Sequence, residues 1–156
     1  MNTQQPKCAV IGYGSWATAI VKTLTINHHK VNWLVLNEEV RQSLNERSHN
    51  TKYLPWCYID RDFIVPSENI DDVVRDADIV ILAMPSAFLT KFLEPLTVSL
   101  EDKIVVSVVK GIIPGDYLTI VEHMHTFYNI PMKNLCVVTG PSHAEEVGQC
   151  RLSYLT

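Results

Sequence analysis

Apolar and polar positions alternate along this chain in two rhythms. Short continuous apolar runs of strand length are separated by segments whose apolar residues recur at helical spacing. The runs predict strands at 8–11, 31–36, 63–65, 79–83, 104–109 and 135–139. The intervening segments predict helices at 17–24, 38–48, 87–96 and 117–127, with a short acidic segment at 70–76. This alternation is typical of an α/β domain, a doubly wound and mainly parallel sheet with helices on both faces.

The loop after the first strand carries the strongest functional signal, because ligands of such sheets bind beyond the carboxyl ends of the strands. It has a G-x-G-x-x-A pattern that opens the first helix. Gly12 permits a tight turn, Gly14 leaves room for a pyrophosphate, and Ala17 lets the helix pack close to the strand. The helix start also offers free N–H groups to phosphates. The pattern predicts a Rossmann-type fold with dinucleotide contacts from Gly12, Tyr13, Gly14, Ser15, Trp16 and Ala17.

The end of the second strand is where such folds distinguish NAD from NADP. An acid there binds the ribose hydroxyls of NAD, and a nearby arginine accommodates the 2′-phosphate of NADP. This chain has Asn37, Glu38 and Glu39, which match neither pattern cleanly. Asn37 can bind a ribose hydroxyl and the glutamates can repel a phosphate, or the glutamates simply begin the next helix. The cofactor is predicted to be NAD or NADP, with the acidic residues favouring NAD.

Three later strand ends add further candidates. Pro85 turns the chain after the fourth strand, and Phe88 can lie against a cofactor ring, although taken alone it is read as a core residue. Lys110 follows an apolar run that predicts an inner strand, so its ammonium is expected in the ligand crevice.

The last predicted strand leads into Gly140, and Ser142 then fits the N-cap of a helix with Glu145 completing a capping box. A second helix start beside Lys110 would make a second anion site. Two anion sites in one crevice indicate a dinucleotide together with a phosphorylated substrate.

Composition excludes several other classes. With 156 residues, 47% of them apolar, and a net charge of −4, the chain suits one globular domain without a nucleic-acid partner. The polar start at residues 1–7 and the short apolar runs predict no signal peptide and no membrane span, hence a cytoplasmic protein.

No metal site is predicted, and the histidines are read as surface residues: His28, His29, His123 and His125. The cysteines are read as apolar packing residues in a reducing compartment: Cys8, Cys57, Cys136 and Cys150. The aspartates of the acidic segment are read as a solvated helix face and its end: Asp71, Asp72, Asp76 and Asp78.

Taken together, these motifs resemble the NAD(P)-dependent glycerol-3-phosphate dehydrogenase family. The resemblance is carried, in chain order, by Gly12-Tyr13-Gly14-Ser15-Trp16-Ala17-Thr18-Ala19, Lys52-Tyr53-Leu54-Pro55, Pro85-Ser86-Ala87-Phe88, Lys110-Gly111 and Gly140-Pro141-Ser142-His143-Ala144. It implies reduction of dihydroxyacetone phosphate to sn-glycerol 3-phosphate, a precursor of phospholipids. The implied cofactor contacts are Ser15, Trp16, Lys110 and Ala144, with Phe88 near the nicotinamide. The implied substrate contacts are Lys110, Gly140 and Ser142.

Two departures from the family pattern matter. Leu36 stands where bacterial members often have a basic residue, and the family's acid/base lysine belongs to a helical domain that would follow Thr156. We therefore expect residues 1–156 to form the dinucleotide-binding domain, to contain no catalytic residue, and to bind nucleotide without turnover. The alternatives are a nucleotide-sensing module and a related hydroxyacid or nucleotide-sugar dehydrogenase. The sequence leaves the oligomeric state open, a homodimer included.

Overall fold

In the computed structural model, which describes residues 5–156, six short strands form one fully parallel sheet. The strands are β1 (Cys8–Ile11), β2 (Val31–Leu34), β3 (Ile64–Ser67), β4 (Ile79–Leu82), β5 (Ile104–Ser107) and β6 (Leu135–Val137). Their order in the sheet is β3-β2-β1-β4-β5-β6, so the chain starts in the middle and winds outward in both directions. This confirms the predicted Rossmann-type fold. The polar start of the chain, residues 1–4, lies outside the described residues.

Helices cover both faces of the sheet, as predicted. They are α1 (Ser15–Ile26), α2 (Glu38–Arg47), α3 (Ile70–Val74), α4 (Leu89–Leu93), α5 (Ile120–Tyr128) and α6 (Ala144–Gly148). Successive side chains of a strand point to opposite faces, so β1 contributes Ala9 and Ile11 to one core and Val10 to the other. The first core is closed by α3, α4 and α5, and the second by α1 and α2.

Two predicted helices are shorter in the structure. The segment predicted at 87–96 forms a 3-10 turn at Ser86–Phe88 and then the single helical turn of α4. The segment predicted at 117–127 becomes helical only at Ile120, because Thr119 and Glu122 form a capping box there. Tyr117 has a φ of 58°, which a helix cannot contain.

The acidic segment is only partly a solvated face. Asp71 accepts hydrogen bonds from the Thr97 backbone N–H at 2.8 Å and from the Thr97 hydroxyl, which ties α3 to the loop before β5. These bonds, the hydroxyl bond first, lower the pKa of the Asp71 carboxyl below its ordinary value. Asp72, Asp76 and Asp78 are exposed as predicted, and Asp78 also accepts a hydrogen bond from the Lys7 N–H at 2.8 Å.

The histidine prediction is wrong for one residue. His123 is only 6% exposed, and its Nδ1 lies 2.6 Å from Asp116 Oδ2. The Leu118 N–H also binds Asp116, and this bond together with the His123 contact lowers the pKa of the Asp116 carboxyl. A carboxylate supplied by the loop before α5 therefore allows the imidazole to be buried, which periodicity alone does not indicate.

The cysteine prediction holds for two of four residues. Cys8 and Cys57 are buried, whereas Cys136 and Cys150 are exposed, and all four thiols are free. Cys136 faces outward because β6 is an edge strand of the sheet. Within residues 5–156 there is no cluster of three metal-ligating side chains, and no helix is both long and apolar enough to cross a membrane.

Candidate functional site

Gly12 is required by the packing of the loop that follows β1. Its φ is 113°, and a Cβ on this residue would lie 2.3 Å from the carbonyl oxygen of Ala83 at the end of β4. Its own carbonyl accepts a hydrogen bond from Trp33 Nε1 at 2.7 Å. Gly12 therefore holds the loop flat against the sheet, and any larger residue would displace β4.

Gly14, unlike Gly12, is not required by the backbone conformation or by packing within the chain. Its φ of −74° is open to any residue, and among the described residues a Cβ here would meet no heavy atom within 4 Å apart from the adjoining residues. Gly14 is the N-cap of α1, so the free N–H groups of the first helical turn begin beside this space. The protein itself does not need a glycine at this position, so the free space suits a group that comes from outside.

A buried asparagine that the sequence analysis missed fixes the glycine loop. Asn50 Nδ2 donates to the Tyr13 carbonyl at 2.9 Å and to the Thr18 hydroxyl at 2.8 Å, and Asn50 Oδ1 accepts from the Tyr53 N–H at 3.1 Å. Asn50 has no exposed surface. Nothing in the sequence marks this residue, because the two partners that tie it to the glycine loop, Tyr13 and Thr18, lie more than thirty positions away.

At the end of β2, the two glutamates begin the next helix, which was one of the two interpretations of this segment. Asn37 caps α2, since its Oδ1 accepts from the Val40 N–H at 3.0 Å, and Glu38 and Glu39 form the first turn of that helix. The cap uses one of the two lone pairs of Asn37 Oδ1, and the Nδ2 group makes no hydrogen bond to the described residues. Leu36 is 44% exposed and faces the space above the glycine loop.

A first cavity, of about 420 Å³, lies on the β2 side of the glycine loop. Its walls are largely aromatic and apolar. The lining residues are Tyr13, Gly14, Leu36, Tyr53, Ala83, Met84, Pro85, Phe88, Lys91 and Phe92. Phe88 is 50% exposed, so its interpretation as a core residue is wrong: the 3-10 turn before α4 points the ring into the cavity instead.

A second cavity, of about 360 Å³, lies on the β5 and β6 side of the same loop. It is lined by Gly14, Ser15, Trp16, Ala83, Met84, Pro85, Val108, Val109, Lys110, Ser142, His143 and Ala144. The structure thus brings together four strand ends that the sequence analysis identified separately. Gly14 and Pro85 belong to both cavities, so the two spaces adjoin at the glycine loop. Phe88 lines the first cavity and Lys110 the second, so the ring is on the side away from the lysine.

The predicted capping box at Ser142 is wrong. The N-cap of α6 is His143, which makes no side-chain cap. Ser142 is one position too early, and its hydroxyl donates instead to the Tyr154 carbonyl at 3.1 Å. Gly140 has a φ of 145°, and a Cβ there would lie 2.2 Å from the same carbonyl. Gly140 and Ser142 thus hold the returning segment 154–156, and Ser142 also lines the second cavity.

Comparisons with known proteins agree with this geometry. A family model described as the N-terminus of NAD-dependent glycerol-3-phosphate dehydrogenase matches residues 7–156. A glycerol-3-phosphate dehydrogenase [NAD(P)+] of Halalkalibacterium halodurans is 37% identical over 145 residues, covering 89% of this chain and 40% of that protein. A glycerol-3-phosphate dehydrogenase [NAD(P)+] of Listeria innocua is 36% identical over 151 residues, covering 92% of this chain and 43% of that protein. The solved structure of a glycerol-3-phosphate dehydrogenase from Saccharomyces cerevisiae superposes with a TM-score of 0.83 at 25% identity, covering 97% of this chain and 46% of that chain. The chain thus spans about two fifths of the length of its curated relatives.

Proposed function

Because this chain belongs to the NAD-dependent glycerol-3-phosphate dehydrogenase family, we propose that it is the nucleotide-binding part of an enzyme that reduces dihydroxyacetone phosphate to sn-glycerol 3-phosphate with NADH or NADPH. Family membership favours this reading over a nucleotide sensor and over other dehydrogenases. The products of such an enzyme would feed phospholipid synthesis.

The observation that carries the proposal is the pair of cavities that adjoin at Gly14. A dinucleotide consists of two flat nucleosides joined by a pyrophosphate, and it needs two pockets with an anion site between them. The aromatic cavity with Tyr53 and Phe88 suits the adenosine half, and the cavity with Lys110 suits the nicotinamide half. We therefore put Phe88 beside the adenosine half and not near the nicotinamide, where the family resemblance had implied it. The pyrophosphate would cross Gly14, where no side chain intervenes and the start of α1 presents N–H groups.

The second cavity also suits a phosphorylated substrate. Lys110 is exposed after β5, an inner strand, and Ser142 lies across the same space. The Lys110 ammonium would bind the substrate phosphate and orient the carbonyl, which is a binding role. When bound, the nicotinamide supplies the hydride. We assign the proton to a lysine of a helical domain that follows residue 156 in the longer protein, as the family resemblance implies, and not to Lys110.

Titration of the chain with NADH and, separately, NADPH tests the nucleotide site. Trp16 lines the second cavity, so its fluorescence should change saturably with nucleotide. Gly14→Val should abolish this change while urea unfolding stays close to wild type, because the valine side chain would point into free space. Thr126→Val, which places the same side chain on exposed α5, is the control. Wild-type affinity in folded Gly14→Val would refute the assigned pyrophosphate position.

An activity assay tests the division of roles. The chain alone should bind NADH but not oxidise it in the presence of dihydroxyacetone phosphate, and a longer polypeptide with the helical domain should turn over. Reduction of dihydroxyacetone phosphate by the chain alone would show that the proton donor lies within residues 1–156.

A further inference from the structure

The end of β2 lacks both of the usual groups that select a nucleotide. Leu36 lies two positions after the end of β2, and the Asn37 Oδ1 caps α2. The guanidinium of Arg41, on α2, already has protein partners, because it donates to the Val35 carbonyl at 2.7 Å and pairs with Glu68. A 2′-phosphate therefore finds no available guanidinium here, and a 2′-hydroxyl finds no strand-end carboxylate.

The opposite wall of the first cavity carries a lysine. Lys91 lies on α4, three residues after Phe88, so the two side chains share one face and both line the cavity with Leu36. Among the described residues that line this cavity, Lys91 is the only charged one. It is exposed and, within residues 5–156, makes no hydrogen bond or ion pair, so its ammonium is available to a ligand.

We propose that Lys91 is a specificity-determining residue that binds the 2′-phosphate of NADPH from the α4 side. The inference rests on the proposed function, since it assigns the adenosine half to the first cavity. If the ring of Phe88 lies against the base, the lysine one helical turn further on can reach the part of the cavity lined by Leu36, where the adenosine ribose would bind. Lysine supplies the positive charge that arginine supplies elsewhere, so the chain accepts both nucleotides.

The experiment compares ligands that differ only by the 2′-phosphate. The full chain is titrated with NADPH and NADH, and with adenosine 2′,5′-bisphosphate and adenosine 5′-monophosphate, which report on the adenosine half alone. Lys91→Met keeps approximately the length of the side chain and removes its charge, whereas Lys91→Arg keeps the positive charge. Lys133→Met is the control, because Lys133 is also exposed but precedes the edge strand β6 and does not line the first cavity.

Lys91→Met should raise the Kd for NADPH about five- to twentyfold, the range for one partly exposed charged hydrogen bond, and the Kd for NADH less than about twofold. Lys91→Arg should stay near wild type, and salt should weaken NADPH binding more in wild type than in Lys91→Met. An equal change for both nucleotides, or none, would overturn the role of Lys91. If the folded wild-type chain bound no ligand of the four, the proposed function itself would be wrong, and Lys91 would lose its role with it.

Discussion

Replacing Asn50 should loosen the glycine loop and lower the stability of the whole domain. The side chain joins the Tyr13 carbonyl, the Thr18 hydroxyl and the Tyr53 N–H, and none of these contacts is shared with water because Asn50 is fully buried. Asn50→Ala removes all three bonds at once. Thr18 keeps its bond to the Gly14 carbonyl at 2.9 Å, and the Tyr53 N–H keeps its bond to the Asn50 backbone carbonyl at 3.2 Å, so the main loss falls on the Tyr13 carbonyl.

The magnitude follows from the groups left without partners. A buried polar group that loses its hydrogen bond costs about 1–3 kcal/mol, and a small cavity adds to this. We expect Asn50→Ala to lower the free energy of unfolding by about 2–4 kcal/mol. For a domain of this size that corresponds to a fall in Tm of roughly 5–15 °C. Asn50→Asp keeps the shape and the acceptor for Tyr53 but loses both donors, so it should be destabilised comparably.

Urea unfolding followed by tryptophan fluorescence measures the effect, with NADH titration on the folded variants. Asn45→Ala is the control, because Asn45 is exposed on α2 and its side chain has no assigned contact within the described residues. Nucleotide affinity should fall in Asn50→Ala even at temperatures where the variant is folded, since Tyr13 lines the first cavity. A free energy of unfolding within about 0.5 kcal/mol of wild type would refute the reasoning, because substitutions at ordinary exposed positions change stability by about that amount.

Three further changes have defined outcomes. Gly12→Ala should leave little folded protein by circular dichroism, because of its positive φ and the 2.3 Å approach to Ala83; a variant with wild-type stability would contradict the packing described for this loop. In the longer enzyme that we propose, Lys110→Ala should raise KM for dihydroxyacetone phosphate more than it lowers kcat, and a change in stability alone would exclude a substrate contact. Hydrogen bonds lower the pKa of Asp71 and Asp116 in the folded chain, so their contribution to stability is complete above the ordinary aspartate pKa of about 3.9 and is lost as pH falls through the lower folded values. Urea midpoints of Asp71→Asn should therefore depend less on pH than those of wild type below about pH 4, and equal dependence would contradict the Thr97 contact.

Local patterns in the sequence were sufficient to predict the sheet and to select the residues that line the candidate site. The inner strands are continuous apolar runs because helices cover both of their faces, and the strand ends converge because all strands are parallel. Gly12, Gly14, Pro85, Lys110 and Ser142 could be found in this way, one strand at a time. The fold rule then indicated that they meet.

Contacts between distant segments could not be predicted in this way. Asn50 acts through partners 32 and 37 positions away, and His123 is buried only because Asp116 meets it across a turn. Ser142 has the sequence of a cap, but the returning segment at Tyr154 takes its hydroxyl. Phe88 is apolar and adjoins a helix, which favours a core position, and only the 3-10 turn reveals its exposure. In each case a polar or aromatic side chain has two compatible local roles, and tertiary packing selects one of them.

The two glycines of the first loop have different evolutionary fates. Gly12 serves the sheet, so selection for a folded protein is enough to retain it. A side chain on Gly14 would meet no other part of the described chain, so under the proposed function only a bound nucleotide penalises its replacement. A descendant that gave up nucleotide binding would therefore keep Gly12 and let Gly14 drift. The second glycine of the pattern, read across descendants, would separate those still under selection to bind nucleotide from those that retain only the fold.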